Sequence, residues 1–415
     1  MTTAHPLPTP EEFEHQLARF INATLLGGSA NVGRDTRLFE DGYMNSLRIL
    51  DLIAAVEKTL GARVPDRAVR LANFRTIATI VDAFHPDAAS RRRASTAQPD
   101  PGHLFERRGD RSRFASPLAA LQARGDVTVT TAGQVSLSGL ALDLFRAIDH
   151  TSLAWARSLG AVEHRYPSLI DLGVLERAGQ VESFPQHLTL ASHPQPPSLP
   201  ERKDGGRHAL APAVCYHAYP ELQGRTLATE PTILTARGRC YRFEDGSHAP
   251  LERLWDFTMR EVIVLGTRDQ VETVRQGLVK QVAELVTTLE LDGRVEVAAD
   301  PFFTAGDEGR RLMQQAGALK YELLLAVDAD GRGVATTSFN HHHDFFGARF
   351  AIALPDGGRA HSGCVALGLE RWVLAVFAQH GLDERTWPPA ARAWLDEARN
   401  RRTPTGATHQ HGADA

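Results

Sequence analysis

A stretch from His85 to His103, which reads HPDAASRRRASTAQPDPGH, divides the sequence into two unlike parts. It is rich in Pro, Ala, Ser and Arg and has no apolar periodicity, which is typical of a flexible linker. Before this stretch apolar residues recur only at helical spacing, whereas after it strand-like and helix-like runs alternate. The chain is therefore predicted to form a small helical domain followed by a mixed α/β domain.

The domain boundaries follow from these changes of composition. We place the helical domain at residues 1–88, the linker at 89–113 and the mixed domain at 114–400. Residues 401–415, which read RRTPTGATHQHGADA, are predicted to be a disordered tail. A chain of 415 residues is long enough for domains of these sizes.

Periodicity within each domain predicts its elements. The helical domain has helical runs in EEFEHQLARFINATLL, SLRILDLIAAVEKTLGARV and NFRTIATIVDAF, the last with Asn73 as its expected cap. The mixed domain has strand-like runs in GRCYRFE, REVIVLGT, KYELLLAV and RFAIAL. Its helical runs are VETVRQGLVKQVAELVTTLEL and LERWVLAVFAQHG.

Composition excludes several classes of protein. The chain is 42% hydrophobic and 23% charged with a net charge of -4, so it lacks the basic character of a nucleic-acid-binding domain. No apolar run approaches the roughly 20 residues of a membrane span, and the N-terminus MTTAHPLPTPEEFEHQL lacks the apolar core of a secretory signal. The three cysteines are far apart and form no disulfide framework. We expect a cytoplasmic protein without a membrane partner.

Ser46 stands where a long loop ends and the second helix begins. Apolar residues follow it at helical spacing, so the apolar face points one way and Ser46 is left at the exposed start of the helix. Serine is a favoured N-cap, because its oxygen accepts a bond from an unpaired backbone N–H, and Asn45 has the same capacity. These residues alone favour a capping role for Ser46.

The stretch GRCYRFEDGSHAPLERLWDFTMREV predicts a β-hairpin. Period-two alternation puts Arg242 and Glu244 on one face of the first strand, and Phe257 and Glu261 on one face of the second. Such a hairpin offers a cation for a phosphate, an acceptor for an amino group and a ring to stack on a base. A salt-bridged surface hairpin is the alternative.

The stretch HSGCVALGLERWVLAVFAQHG predicts a strand of small residues that runs straight into an amphipathic helix. Gly363 and Gly368 allow a ligand or another backbone to come close to the strand. Arg371 stands at the start of the helix, in position to bind a terminal phosphate. The alternative is an arginine exposed to solvent at a helix N-terminus.

Cys215, Glu261 and Cys364 fall on three different predicted strands. Two thiolates and a carboxylate leave the fourth tetrahedral position of a zinc ion open, as catalytic zinc sites do. Buried, inert cysteines are the alternative, since cysteine is commonly buried. Cys240, which stands two residues from Arg242, is interpreted as structural.

The run His341, His342 and His343 does not predict a metal site, because adjacent residues of a strand point to opposite faces. We expect one or two of these histidines to face a pocket in a polar role and the others to be solvated. Asn340 and Asp344 are the candidates for lining or orienting that pocket.

The helical domain resembles an acyl or peptidyl carrier protein over most of its length, in DTRLFEDGYMNSLRILDLI and FRTIATIVDAF. The resemblance implies a four-helix bundle in which Ser46 carries a 4′-phosphopantetheine arm, attached by a phosphopantetheinyl transferase. The electropositive start of a helix suits a phosphate ester. Asn45 stands where the carrier family usually has Asp.

The mixed domain resembles class II aminoacyl-tRNA synthetases, and in particular the atypical seryl-tRNA-synthetase-like enzymes called amino acid:carrier protein ligases. The matching stretches are YPSLIDLGVLERAGQVESFP, AVCYHAYPELQGRTL, RLWDFTMREVIVLGT, DPFF, KYELLLA, SFNHHHDFFG and HSGCVALGLERW. The resemblance implies an antiparallel sheet of six to seven strands flanked by helices, in a homodimer. Ala366 stands where the synthetase pattern often has Gly.

The same resemblance implies an ATP site. Arg242 and Glu244 would hold the α-phosphate and the adenine amino group, and Phe257 would stack on the adenine. Arg371 would bind the γ-phosphate, with Mg²⁺ on the phosphates. Arg242 and Arg371 would be catalytic through positioning and charge neutralisation.

The resemblance also implies a zinc site for the substrate's amino group, formed by Cys215, Glu261 and Cys364. Zinc would select an α-amine in its neutral form and reject carboxylic acids that lack one. The implied substrate is a small amino acid: glycine, alanine or serine.

Together the two resemblances predict ATP-dependent formation of an aminoacyl adenylate and its transfer to a phosphopantetheine thiol, expected on the fused domain. A flexible linker of about 25 residues has an r.m.s. reach of about 25–30 Å, and tethering gives an effective concentration of about millimolar. Downstream biosynthetic enzymes are the further expected partners. The alternatives are an atypical seryl-type aminoacyl-tRNA synthetase and a catalytically silent paralogue that acts as a scaffold or regulator. We expect no tRNA partner, because a carrier-like domain that is not basic takes the N-terminal position of the tRNA-binding module.

Overall fold

The computed structural model describes residues 7–26, 32–38, 43, 48–65, 68, 71–87, 103–109, 117–192, 207–244, 247–298 and 319–401. Ser46, the motif DPFF at residues 300–303 and the tail from residue 402 lie outside the described residues, as does the predicted linker except for residues 103–109. The chain divides into two compact units, one formed by residues 1–104 with 295–322 and the other by residues 105–294 with 323–415.

The first helices of the chain are α1 (Pro10–Phe20), α2 (Arg48–Leu60), α3 (Leu71–Phe74) and α4 (Ile77–Phe84), and α1 continues into a π-helical turn over Ile21–Leu25. Thr9 and Glu12 form a reciprocal capping box at the start of α1. Apolar side chains of the helices form a common core: Phe13, Leu17, Ile49, Leu52, Val56, Phe74, Ile77 and Ile80 are completely buried.

The predicted cap at Asn73 is wrong. The predicted helix is divided into α3 and α4, and Thr76 caps α4 in a reciprocal box with Thr79. Asn73 lies inside α3, where its side-chain amide donates to the carbonyl of Ala68 at 2.8 Å. The Thr76 hydroxyl accepts the Thr79 N–H at 3.1 Å, so the cap forms where the backbone leaves helical geometry.

The later helices are α5 (Leu118–Arg124), α6 (Gly139–Ser158), α7 (Leu172–Arg177), α8 (Gln180–Ser183), α9 (Ala218–Glu221), α10 (Arg268–Thr288), α11 (Phe345–Arg349), α12 (Leu369–His380) and α13 (Pro389–Asn400). The two predicted long helices are confirmed as α10 and α12. The predicted strand RFAIAL is wrong. Its first residue ends α11, and Ala351 has a φ of +52°, which breaks an extended run.

The strands are β1 (His103–Arg107), β2 (Val127–Thr131), β3 (Gln134–Leu137), β4 (Val162–His164), β5 (Leu169–Asp171), β6 (Leu190–Ala191), β7 (His208–Leu210), β8 (Thr232–Tyr241), β9 (Asp256–Gly266), β10 (Gly293–Val297), β11 (Lys320–Ala326), β12 (Gly333–His343) and β13 (His361–Gly368). β1 lies within the segment predicted as linker. It forms a strand there because it pairs with β10 at the edge of the main sheet.

Eight of these strands form the main sheet, in the order β1-β10-β11-β12-β13-β9-β8-β4. The pairs β8/β9, β9/β13 and β12/β13 are antiparallel, whereas β4 joins β8 in parallel. The sheet is mainly antiparallel, as predicted, although β4 makes it a mixed sheet. It has eight strands where six to seven were expected. Smaller sheets are formed by β2 with β3, and by β5, β7 and β6.

Helix α10 packs against β9, β12 and β13 on the face of the sheet opposite Cys364. A Cβ at Gly363 would lie 2.7 Å from the Asn340 carbonyl oxygen and 2.8 Å from a methyl group of Val271 on α10, so glycine allows the neighbouring strand and the helix to come this close. α6 packs on β8 and β9, and α12 packs on β9, β12 and β13. No described helix is long and apolar enough to cross a membrane.

Candidate functional site

Three of the predicted site residues lie on one face of the central strands of the main sheet: Phe257, Glu261 and Cys364. Glu261 on β9 is opposite Ala366 on β13, and Cys364 on β13 is opposite Ile263. The period of two then places Phe257 on the same face of β9 as Glu261, as predicted. Phe257 pairs with Cys240 on β8, and both pack against the same buried cluster as Cys364.

Cys215, Glu261 and Cys364 lie together, with one ligand atom of each within 4.8 Å of the others. All three residues are buried, and both cysteines are free thiols. Cys215 does not lie on a strand, as the sequence predicted, but in a 3-10 turn over Cys215–His217. This turn approaches β9 because the Val214 N–H donates to Glu261 Oε1 at 2.8 Å.

The electrostatics of this cluster fit a bound cation. Glu261 Oε2 is buried and has no hydrogen-bond partner among the described residues. Burial and the neighbouring Cys364 thiolate raise the pKa of Glu261 to about 8. The hydrogen bond between the two thiols raises the pKa of Cys215 and lowers that of Cys364. A buried set of two sulfurs and one oxygen with an unpaired carboxylate oxygen suits a zinc ion with an open position.

His342 and Asn340 reach the same cluster from β12. His342 Nε2 lies 3.8 Å from Cys364 Sγ, and the Asn340 side-chain amide donates to that sulfur at 3.5 Å. His342 Nδ1 lies 3.3 Å from the Ser362 hydroxyl and 3.4 Å from the Tyr219 hydroxyl. When one of these hydroxyls donates to Nδ1, the ring proton lies on Nε2 and is directed at the sulfur. This arrangement orients a ligand as outer-shell residues do in metal sites.

Arg242 and Phe257 are brought together at the other end of this face. The guanidinium carbon of Arg242 lies 5.5 Å from the centroid of the Phe257 ring, and Arg242 Nε donates to the Pro212 carbonyl at 2.9 Å. β8 ends at Tyr241, but the Arg242 N–H still bonds the Trp255 carbonyl at 2.9 Å, which continues the hairpin.

Glu244 follows in the same hairpin and forms a 3.0 Å ion pair with Arg253. Both partners are partly exposed, so the pair contributes little to stability. The hairpin thus contains a surface salt bridge, as the alternative interpretation expects. It also places the cation and the ring of the ATP-binding interpretation next to each other.

Arg371 lies in the first turn of α12 and is directed back onto the protein. Its Nε donates to the Glu252 carbonyl at 2.6 Å, and its Nη1 donates to the Ala335 carbonyl at 2.9 Å. The preceding Glu370 is buried and accepts the Thr258 N–H at 2.9 Å, which holds the start of α12 beside Phe257. The exposed alternative for Arg371 is therefore excluded.

Three residues of this region were not singled out as site residues from the sequence: Tyr219, His342 and Glu370. Tyr219 stands four residues after Cys215, and the observed turn and α9 bring the two to one side. Its completely buried ring stacks on Phe346 with centroids 3.9 Å apart. His342 stands two residues after Asn340, which is the spacing that puts both on one face of β12.

Comparison with solved structures defines the class of the fold. The seryl-tRNA synthetase of M. kandleri, solved with A. aeolicus tRNASec, superposes with a TM-score of 0.61 at 23% identity, covering 77% of this chain and 68% of that one. The P. horikoshii seryl-tRNA synthetase solved with ATP gives a TM-score of 0.54 at 15% identity, over 70% and 64% of the two chains. The protein therefore has a class II synthetase fold.

Curated sequences define the family, although no family model matches. Amino acid–acyl-carrier-protein ligase 1 of Bradyrhizobium diazoefficiens is 31% identical over 252 residues, which cover 57% of this chain and 77% of the relative. The type-2 serine–tRNA ligase of Methanothermobacter thermautotrophicus is 28% identical over 260 residues, 56% of this chain and 50% of the relative. This chain belongs to the amino acid–acyl-carrier-protein ligase family and is an enzyme of the ligase class.

Proposed function

We propose that this ligase activates a small amino acid with ATP and transfers it to the phosphopantetheine thiol of a carrier protein. The first step forms an aminoacyl adenylate and releases pyrophosphate. In the second, the thiol attacks the adenylate carbonyl, forms a thioester and releases AMP. The observation that carries the proposal is one face of the sheet with a buried Cys215–Glu261–Cys364 cluster at one end and Arg242 with Phe257 at the other.

The cysteine–glutamate cluster is the proposed site for the amino group of the substrate. Zinc held there would supply a Lewis acid whose fourth position takes a neutral α-amine. The chain's part is to fix the ligands: the Val214 N–H holds one oxygen of Glu261, and Asn340 and His342 hold Cys364. The stacked rings of Tyr219 and Phe346 fill the space beside the cluster, which supports a small amino acid such as glycine, alanine or serine.

ATP is proposed to bind between Phe257 and Arg371. Phe257 stacks on the adenine, and Arg242 above its ring binds the α-phosphate. Glu244 accepts from the adenine amino group when ATP enters, and Arg371 binds the γ-phosphate with Mg²⁺ on the phosphates. Residues that are four apart in a strand are separated by about 13 Å. The spacing from Phe257 to Glu261 on β9 therefore leaves room for the α-phosphate between the adenine and the amino acid. Catalysis then comes from positioning and charge neutralisation.

The N-terminal region is proposed to be the carrier, with domains at residues 1–88 and 114–400, a linker at 89–113 and a tail at 401–415. The amphipathic helices α1, α2 and α4 and their common core support a four-helix carrier bundle. Ser46, outside the described residues, would carry the arm after a phosphopantetheinyl transferase acts. The catalytic domain is proposed to load the amino acid onto the carrier domain of the same chain. The protein is further proposed to be a cytoplasmic homodimer whose thioester product is used by downstream biosynthetic enzymes.

Intact-mass measurement after co-expression with a broad phosphopantetheinyl transferase tests this function. Wild type, Ser46→Ala and the matched control Ser136→Ala are incubated with ATP, Mg²⁺ and the twenty amino acids. Wild type and Ser136→Ala should gain the phosphopantetheine mass and one aminoacyl increment, and Ser46→Ala should gain neither. A phosphopantetheine gain without an aminoacyl increment on any protein would contradict self-loading.

The type-2 serine–tRNA ligases among the relatives make tRNA charging the second candidate. The match covers a smaller share of that relative than of the carrier-protein ligase, 50% against 77%. Charging of tRNA with labelled serine would support the second candidate. Amino-acid-dependent exchange of pyrophosphate into ATP, without tRNA charging, would support the carrier ligase and exclude a catalytically silent paralogue.

A further inference from the structure

A β-bulge in β12 changes the direction of the histidine run. His341 pairs with Gly363, but His343 pairs with Ser362, so the register shifts between them. His343 has a φ of +51°, in the left-handed region that non-glycine residues seldom occupy. A bulge of this kind re-aims a side chain. His341 and His343 lie on the face opposite His342, as alternation requires, and the left-handed residue of the bulge holds their rings side by side.

His361, at the start of β13, completes a cluster with these two residues. One ring nitrogen of each histidine lies within 4.8 Å of the others. The ring centroids are 4.9 Å apart for His341 and His343, and 5.8 and 5.9 Å from that of His361. One or two of His341, His342 and His343 were expected to face a pocket and the others to be solvated; the second part is wrong, because His341 is only 5% exposed and His343 is partly buried.

Two ring nitrogens in the cluster are buried without a hydrogen-bond partner among the described residues: His341 Nε2 and His361 Nδ1. The other nitrogen of His341, Nδ1, accepts the N–H of His343 at 3.0 Å. Buried polar atoms are rarely left unpaired, and each exception calls for an explanation such as an ion. These two nitrogens are therefore the candidate ligand atoms for a metal ion.

We propose that His341, His343 and His361 bind a second divalent transition-metal ion, on the face of the sheet opposite the Cys215–Glu261–Cys364 cluster. Imidazole suits zinc, nickel and copper, and three histidines leave a position for water. Nitrogens bound to one tetrahedral zinc ion lie about 3.3 Å apart, so small rotations of the rings close the site. The ion would pin the bulge next to His342 and so help to hold that ring against Cys364.

The charges around the cluster allow this ion. Burial lowers the pKa of His341 to about 3 and of His343 to about 4, and it also lowers the pKa of His361, so all three are in the neutral, metal-binding form at pH 7. Arg275 and Arg268 on α10 act against a cation. Two carboxylates act in its favour: Asp344 and Asp269.

Binding at His341 Nε2 moves the ring proton to Nδ1, so the bond from the His343 N–H is lost. One neutral hydrogen bond contributes much less free energy than the bonds of a metal ion to a set of protein ligands. With two arginines nearby and this bond to break, we expect the histidine site to bind more weakly than the cysteine site.

Metal content measured by inductively coupled plasma mass spectrometry tests the proposal. The full chain is stripped with a chelator, reloaded with excess Zn²⁺ and passed through a desalting column. Wild type should retain about two zinc ions per chain and His361→Gln about one. His343→Gly, which removes the ring and relieves the positive φ, should also retain about one. The control His208→Gln changes an exposed histidine on β7 and should match wild type.

Cobalt separates the two sites by spectroscopy. Thiolate-bound Co²⁺ has a near-ultraviolet charge-transfer band, whereas Co²⁺ on imidazoles shows only weaker visible bands. Cys364→Ser should lose the charge-transfer band and keep one ion on the histidines, and adding His361→Gln should remove that ion. Retention of one ion by wild type, with none left in Cys364→Ser, would overturn the proposal while leaving the proposed function intact.

Discussion

Asp149 on α6 holds the guanidinium group of Arg260 inside the protein: Oδ1 lies 2.7 Å from Nε, and both side chains are almost fully buried. The other oxygen of Asp149 accepts from Arg237 at 2.8 Å, and Arg260 also contacts Glu163 at 3.1 Å. This network lies on the face of β9 opposite Glu261, because residues 260 and 261 alternate. It joins α6 to β8 and β9, the strands that carry Arg237 and Arg260.

Asp149→Asn should destabilise the protein by about 3 kcal/mol, because it leaves the buried charge of Arg260 with only a partly exposed partner. Urea unfolding followed by circular dichroism measures the change. The control Asp383→Asn removes an exposed pair with Arg385 and should leave the unfolding midpoint unchanged. Equal midpoints for wild type and Asp149→Asn would show that the buried pair contributes nothing net.

Glu261→Gln should lower amino-acid-dependent pyrophosphate exchange by about 100-fold or more, because a neutral amide is a poor ligand for zinc. Bound zinc should fall with the activity, while the Val214 N–H keeps an oxygen acceptor. The control Glu284→Gln changes an exposed carboxylate on α10 and should be active. Full activity of the metal-free Glu261→Gln variant would remove the amine-binding role.

Phe257→Ala should raise the KM for ATP by about 5- to 150-fold, since stacking of a base on an aromatic ring contributes about 1–3 kcal/mol. The KM for the amino acid should change little, because Glu261 of the proposed amine site is four residues further along β9. Phe257→Tyr keeps the ring and should retain wild-type affinity. A rise in both KM values by the same factor would instead indicate a general disturbance of the sheet.

Glu370→Gln should change how stability depends on pH. Burial raises the pKa of Glu370, so the folded protein binds the carboxyl proton more tightly than the unfolded chain does. The free energy of unfolding then falls as pH rises above the ordinary value of 4.5, until the folded group is also ionised. Glutamine still accepts the Thr258 N–H but cannot ionise, so the variant should show a flatter profile above that pH.

Thermal unfolding of the ligand-free protein at a series of pH values measures this difference between wild type and Glu370→Gln. Replacement of the exposed Glu284 by Gln provides the control profile, which should follow wild type. A Glu370→Gln profile as steep as that of wild type would mean that another group causes the slope.

Local spacing predicted much of the site's arrangement. The period of two placed Phe257 and Glu261 on one face of a strand, and the observed register of β9 with β13 agrees. It also held at the histidine run, where His342 faces Cys364 and His341 and His343 share the other face; what failed there was the expectation of solvation. It failed at Cys215, which lies in a 3-10 turn held by a hydrogen bond to a residue far away in sequence.

The sequence by itself determined the family, the order of most helices and strands, and the residue types available for amine and ATP binding, because these depend on motifs and on the periodicity of neighbouring residues. Only the tertiary structure decided that Cys215 meets Glu261, that Glu370 bonds β9 and that His361 joins His341 and His343. Such meetings depend on strand register and on the packing of segments distant in the chain, which the spacing of neighbouring residues does not specify.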